Sequence, residues 1–187
     1  MARIISIVNQ KGGVGKTTTA VNLASYLAES GYRVLLIDID PQGNASVGLG
    51  INYKELTRGI YEVLIDPNLP LRDVVRIVEE NLHVAPSTPD LAGASVELVN
   101  HPEREYVLRE NLKDVDTFYD FILIDNPPSL GLLTINSLAA AREVLIPVQC
   151  EYYALEGLGQ QLTTIDLIKQ HVNPNLEILG AVMTMYD

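Results

Sequence analysis

The apolar run Ile4-Ile5-Ser6-Ile7-Val8 leads into Gln10-Lys11-Gly12-Gly13-Val14-Gly15-Lys16-Thr17-Thr18, and a helix-compatible stretch follows. Strand, glycine-rich turn and helix in that order aim several backbone N–H groups and the positive end of a helix dipole at one point, where a polyphosphate fits. Gly12, Gly13 and Gly15 let the backbone approach an anion without Cβ obstruction. Lys16 is placed to reach the β- and γ-phosphates, and the Thr17 hydroxyl to ligate Mg²⁺. The glycine expected five residues before Gly15 is Gln10, and a second lysine, Lys11, stands near the start of the loop. A glycine-rich turn with no ligand is the competing reading; the Gly15-Lys16-Thr17 ending weighs against it.

Two further apolar runs end in carboxylates. Val34-Leu35-Leu36-Ile37-Asp38-Ile39-Asp40 delivers Asp38 and Asp40 at the C-terminal end of a strand, where open α/β sheets place their ligands, and residues two apart share a face. Phe121-Ile122-Leu123-Ile124-Asp125 repeats the pattern and has the Walker B form, so Asp125 is expected to hold a Mg²⁺-bound water. This chemistry fits phosphoryl transfer, in which positioning and charge neutralisation supply most of the rate. The bland alternative makes the aspartates solvent-facing strand ends and Asn126-Pro127-Pro128-Ser129 a stiff loop.

β-rich runs recur at 4–8, 34–37, 82–85, 121–124, 144–148 and 178–183, separated by stretches that read as helices at 16–30, 57–65, 70–80, 91–99, 103–113, 132–141 and 155–171. The alternation predicts an α/β fold, a doubly wound, mostly parallel sheet covered on both faces. Segments 41–53 and 66–70 read as loops, and residues 1–187 as one domain.

Composition excludes several classes. One cysteine, Cys150, rules out an intramolecular disulfide framework and fits a reducing, cytoplasmic setting; it reads as a small buried hydrophobe. No apolar segment reaches about 18 residues, and a strand starts within a few residues of Met1 with no charged region before an apolar stretch, so neither a membrane span nor an export signal is expected. The net charge of −11, without a Lys/Arg cluster, opposes binding of the whole surface to DNA or anionic membranes. His83, His101 and His171 have no ligand-type spacing. Glu151-Tyr152-Tyr153 reads equally as core rim or as lining for a dimer interface or the nucleotide's edge.

The segment Lys11-Gly12-Gly13-Val14-Gly15-Lys16-Thr17-Thr18 resembles the deviant Walker A loop of the ParA/MinD class of P-loop ATPases. The likeness runs on through Asp38-Ile39-Asp40-Pro41-Gln42-Gly43-Asn44, Ile124-Asp125-Asn126-Pro127-Pro128-Ser129-Leu130-Gly131 and Pro147 to Leu158, and is similar to the Soj-like chromosomal ParA branch. Asn126 departs from it, standing where that pattern has a small residue or threonine. The resemblance implies ATP and Mg²⁺ as ligands and a homodimer in the ATP state, with Lys11 reaching the partner's nucleotide. It also implies that Asp40 orients or deprotonates the attacking water and that Asp38 supports the Mg²⁺ shell or the loop lysines. Pro41, Gln42, Gly43 and Asn44, and Pro127, Pro128 and Ser129, become switch loops. A ParB-like partner that accelerates slow hydrolysis, nonspecific DNA and nucleoid association of a full-length form, and a role in chromosome or plasmid segregation complete the expectation.

Alternatives of other classes are a MinD-like positioning ATPase at the membrane, matching in the first loop but not in Asp40-Pro41-Gln42-Gly43-Asn44, and a small-molecule kinase or ligase, which has no need of Lys11. A metallocluster reductase resembling the nitrogenase iron protein fails on its need for two cysteines. Relatives run several dozen residues past Asp187, so the chain is expected to lack a C-terminal portion that carries DNA-binding arginines.

Overall fold

Val34 to Asp38 are all buried, which a five-residue strand achieves only when both faces of its sheet are covered. The computed structural model describes residues 1–151 and 154–186 and builds that sheet. In chain order the elements are β1 (Arg3–Ile7), α1 (Lys16–Glu29), β2 (Val34–Asp38), α2 (Asn44–Gly48), α3 (Ile60–Ile65), β3 (Arg76–Glu79), β4 (Leu82–Ala85), α4 (Leu91–Glu97), α5 (Val107–Leu112), β5 (Phe121–Asp125), α6 (Leu132–Ala140), β6 (Glu143–Gln149), α7 (Ala154–His171) and β7 (Glu177–Thr184). The sheet order is β3-β4-β2-β5-β1-β6-β7; the β3–β4 pair is antiparallel and the others are parallel. This is the doubly wound α/β architecture of a P-loop NTPase.

Each face has its own core. Ala20, Ala24 and Ala28, spaced four apart, lay a small-residue stripe of α1 against Val34, Leu36 and Leu123. On the other face Leu35, Ile37, Ile122 and Ile124 pack with Leu138 of α6 and Ile165 of α7. Because β2, β5 and β1 are parallel neighbours, Asp38, Asp125 and Ile7 line up at one sheet edge. The loops that leave these strands are thereby placed side by side.

Three expectations are corrected. The stretch 70–80 is not a helix: a 3₁₀ turn, Leu71–Asp73, leads into the edge strand β3, whose Ile77 is 74% exposed. The helical spacing of Leu71, Val74, Val75 and Val78 competes with hairpin pairing to β4, and the pairing wins. Segment 41–53 contains α2, which starts after Gly43 at φ 63°. The helix expected over 103–113 is confined to Val107–Leu112, because Glu103 sits at φ 58° in a turn.

Candidate functional site

The loop between β1 and α1 ends on Gly15 at φ 87°, a left-handed conformation that costs glycine little. No side chain caps α1 and its first turn carries no acid, so the N-terminal N–H groups and the dipole are left for an external anion. Lys16 is buried, and its Nζ donates to the Lys11 carbonyl at 3.2 Å. Burial draws its pKa down, against the opposing pull of Asp125 and Asp40.

Three buried aspartates stand at the ends of β2 and β5, and two of them, Asp125 and Asp40, lie close enough to act on this lysine. Asp38 Oδ2 accepts hydrogen bonds from the backbone N–H of Ser46 at 2.8 Å and from its hydroxyl at 2.7 Å, while Oδ1 accepts from Asp40 N–H at 3.2 Å. The Ser46 hydroxyl in turn accepts from Ser87 N–H at 3.0 Å. Desolvation pushes the Asp38 carboxyl up to about 6, with Ser46 restraining the shift. Asp125 is pushed up to about 7 by desolvation and by Asp38 and Asp40, with Thr17 and Lys16 pulling the other way. Although Thr17 lies close enough to favour the charged form, neither Asp125 oxygen completes a hydrogen bond. Asp40 Oδ1 accepts from Gln42 N–H at 2.9 Å, and its carbonyl from Gly43 N–H at 2.9 Å, folding the following loop into a tight turn.

Gly12, Gly13, Gly15, Lys16, Thr17, Thr18, Asp40, Gln42, Asn44, Pro128 and Met185 line one cleft of 350 Å³. Of the other expected site residues, Val14, Gly43 and Pro127 are buried and Pro41 is half-buried. Ser129 is exposed, its carbonyl held by the Thr134 hydroxyl at 2.6 Å. Lys11 stands at the exposed rim, where its Nζ pairs with Glu151 at 3.0 Å and reaches Gln149 Oε1 at 3.4 Å. Such an exposed pair contributes at most about 1 kcal/mol, so Lys11 is easily released. Two larger clefts, of 640 and 700 Å³, lie at the opposite sheet edge beside the starts of β1, β6 and β7 and of β2, β4 and β5. Neither offers a helix N-terminus with a buried lysine, which the smaller cleft does.

The donor set fits a hard cation. Two buried, unpartnered carboxylate oxygens on Asp125 beside the Thr17 hydroxyl suit Mg²⁺, which keeps several waters and needs few protein ligands. No all-protein cluster of metal-ligating His, Cys, Asp or Glu occurs among the described residues.

Ser46, Ser87 and Met185 carry no motif in the sequence, and Asn126 is expected there only as the first residue of the Asn126-Pro127-Pro128-Ser129 switch turn. Asn126 is fully buried, and its Nδ2 donates to Ser6 Oγ, Ile7 O and Ile124 O at 3.0–3.1 Å, tying the turn after β5 to β1. Ser46 stands in a glycine-rich segment and could be suspected only as a polar residue following two strand-end acids. Cys150 is half-buried rather than buried. His83 is hydrogen-bonded to the Tyr119 hydroxyl at 2.8 Å, away from the cleft. Tyr152 and Tyr153 lie outside the described residues.

Comparison with known proteins agrees with this geometry. A family model described as an AAA domain matches residues 2–178. The chain is 57% identical over 188 residues to the chromosome partitioning protein ParA of Myxococcus xanthus, covering 100% of this chain and 66% of that protein. It is 54% identical to the sporulation initiation inhibitor protein Soj of Bacillus subtilis, covering 100% of this chain and 74% of that one. A crystal structure described as cobyrinic acid a,c-diamide synthase from Mycobacterium smegmatis, with bound ATP analog and magnesium, superposes with a TM-score of 0.95 at 42% identity, covering 100% of this chain and 76% of that one. The chain thus spans about two thirds to three quarters of the length of these relatives. No helix among the described residues is long and apolar enough to cross a membrane. With a lysine at each end of a glycine loop and two strands delivering aspartates to it, the chain belongs to the ParA/Soj family of partitioning ATPases.

Proposed function

We propose that this chain binds Mg²⁺-ATP in the 350 Å³ cleft, hydrolyses it slowly, and uses the bound ATP to close a homodimer in DNA segregation. The observation that carries the reading is the joint burial of Lys16, Asp38, Asp40 and Asp125 beside an uncapped helix N-terminus. A buried lysine beside Asp40 and Asp125 is poised for a polyphosphate that brings its own negative charge and a divalent cation.

Each residue has a distinct part. The amides of Gly13, Gly15 and Lys16 cradle the phosphates, with Gly12, Val14 and Thr18 completing the loop. Lys16 neutralises the β- and γ-phosphates. Thr17 and Asp125 would hold Mg²⁺, which would neutralise charge on the phosphate oxygens. Asp38 acts from behind, since Ser46 and Asp40 N–H already fill its carboxylate. It braces the loop Pro41-Gln42-Gly43-Asn44, so that Asp40 orients or deprotonates the attacking water. Pro127, Pro128 and Ser129 form the second switch. Lys11, at the rim, leaves Glu151 and reaches the phosphates of a second copy. A ParB-like partner accelerates turnover, and a full-length form engages DNA nonspecifically at the nucleoid.

A synthase reading is favoured by the likeness to the M. smegmatis structures. It requires ATP turnover that waits for an acceptor substrate, whereas the switch requires turnover linked to dimer formation. Equilibrium binding of a fluorescent ATP analogue and phosphate release separate the two. Saturable binding that Lys16→Ala abolishes, with slow acceptor-free phosphate release that rises with protein concentration, is the expected result. Absence of any hydrolysis without an added acceptor would reject the switch.

A further inference from the structure

The last residue of β7 touches the phosphate loop across 170 positions of sequence: the Thr184 hydroxyl donates to the Val14 carbonyl at 2.8 Å. Its Cγ2 lies 3.5 Å from where a Cβ on Gly15 would stand, so methyl and hydroxyl bracket the Val14–Gly15 peptide. Thr184 is itself firmly placed. It pairs in register with Gln149 of β6, and its carbonyl accepts from Cys150 N–H at 3.0 Å.

Val14 O needs this partner. The first turn of α1 closes on Gly15 O, through Thr19 N–H at 2.8 Å, so Val14 O stands one position too early for the helix ladder. A trans peptide carries its C=O and N–H on opposite sides, and no cis peptide occurs among the described residues. Drawing Val14 O toward β7 therefore turns the Gly15 N–H away from β7, toward the cleft that Gly12, Gly13 and Lys16 line.

We propose that Thr184 is a positioning residue for the phosphate site, presetting the Gly15 amide as an anion donor through its hydrogen bond to Val14 O. This rests on the nucleotide reading above. Gly15 at φ 87° does not fix the peptide by sterics and Val14 O has no ladder partner; the threonine holds it before ligand arrives, sparing the ligand that ordering cost. Because the Gly15 amide addresses phosphate, the effect extends to any ligand with a pyrophosphate group and is independent of the base.

The test is binding of a fluorescent ATP analogue with Mg²⁺, and its displacement by ADP and by pyrophosphate, for the unaltered chain, Thr184→Val and Thr184→Ser, alongside thermal unfolding without ligand. The valine, which matches threonine in shape, should weaken all three ligands about tenfold at unchanged binding stoichiometry, with a fall of only a few degrees in the unfolding midpoint, while the serine restores affinity to within about twofold. Equal affinity of Thr184→Val and the unaltered chain overturns the role. So does a loss confined to stoichiometry and midpoint, which marks Thr184 as structural only, or a weakening of ATP that leaves pyrophosphate unmoved. A serine variant as weak as the valine overturns the hydroxyl's part in favour of methyl packing. Failure of the unaltered chain to bind the analogue rejects the nucleotide reading, and this role with it.

Discussion

Asp38 and Asp125 are register partners on adjacent parallel strands, yet only Asp38 has its carboxylate filled by hydrogen bonds. Asp38 is bonded into the protein and organises the loop that follows it, whereas Asp125 keeps two buried oxygens open toward Thr17 and Lys16. Two acids side by side in a desolvated place thus differ in kind: one carboxylate is filled and the other is open.

The pH dependence of stability follows from the raised carboxyls. Both groups bind protons more tightly in the folded chain, at about 6 and about 7 against an ordinary value of 3.8. Their stabilising contribution is complete below the unfolded value and is lost as pH rises through the folded one. Without nucleotide or Mg²⁺, the unfolding free energy should fall from about pH 4 to about pH 7, a tenfold difference in proton affinity being equivalent to about 1.4 kcal/mol. Asp125→Asn should flatten that slope toward the contribution of Asp38 alone and abolish Mg²⁺-dependent nucleotide binding. Denaturant titrations across the pH series measure it; an identical slope in the variant contradicts the assignment.

Ser46 is expected to matter to turnover more than to binding. Ser46→Ala removes the hydroxyl that Asp38 accepts and leaves Ser87 N–H without its acceptor, at a cost of about 2 kcal/mol. The loop carrying Asp40 then loses its brace. Phosphate release should slow several-fold while ATP affinity changes less than about threefold, measured by single-turnover hydrolysis and equilibrium binding. A selective loss of affinity would place Ser46 in the binding surface instead.

Much of this site was legible from sequence because its strands are short apolar runs ending in a charge. The runs before Gly12, Asp38 and Asp125 are buried on both faces, and their period-free hydrophobicity is what a central parallel strand must show. The edge strand β3 was not legible, since Ile77 and Glu79 face solvent and the apolar positions from Leu71 to Val78 mimic a helical stripe. The five residues of α2 are too few to display periodicity. The contact of Thr184 with Val14 has no local signature at all, because it depends on β7 lying next to β6.

Gly12 offers a clean separation of binding from dimerisation. A Cβ there meets nothing within 4 Å, and the residue is exposed on the rim near Lys11. Gly12→Val should leave the fold intact and retain the ATP binding that Lys16→Ala loses, while blocking approach of a second copy. Analytical ultracentrifugation with Mg²⁺-ATP reads the outcome: a dimer of undiminished strength would show that this rim does not face the partner.

Lys11 and Lys16 should likewise part company. Lys11, half-exposed and paired with Glu151 and Gln149, is expected to be dispensable for binding by one copy, whereas Lys16 is indispensable. Lys11→Ala should retain ATP affinity within about threefold and lose both dimer and hydrolysis; Lys16→Ala should lose binding altogether. Fluorescent-nucleotide titrations of the two variants check this, and equal loss of binding in both would remove the distinction.

Light scattering on Asp40→Ala with Mg²⁺-ATP, with Mg²⁺-ADP and without nucleotide tests the switch most directly. Asp40 is buried at the cleft, where its loss should block hydrolysis while leaving the phosphate cradle intact. A dimer with Mg²⁺-ATP alone is the expected result. A monomer under all three conditions with ATP bound, or a dimer indifferent to nucleotide, would contradict an ATP-driven dimerising switch.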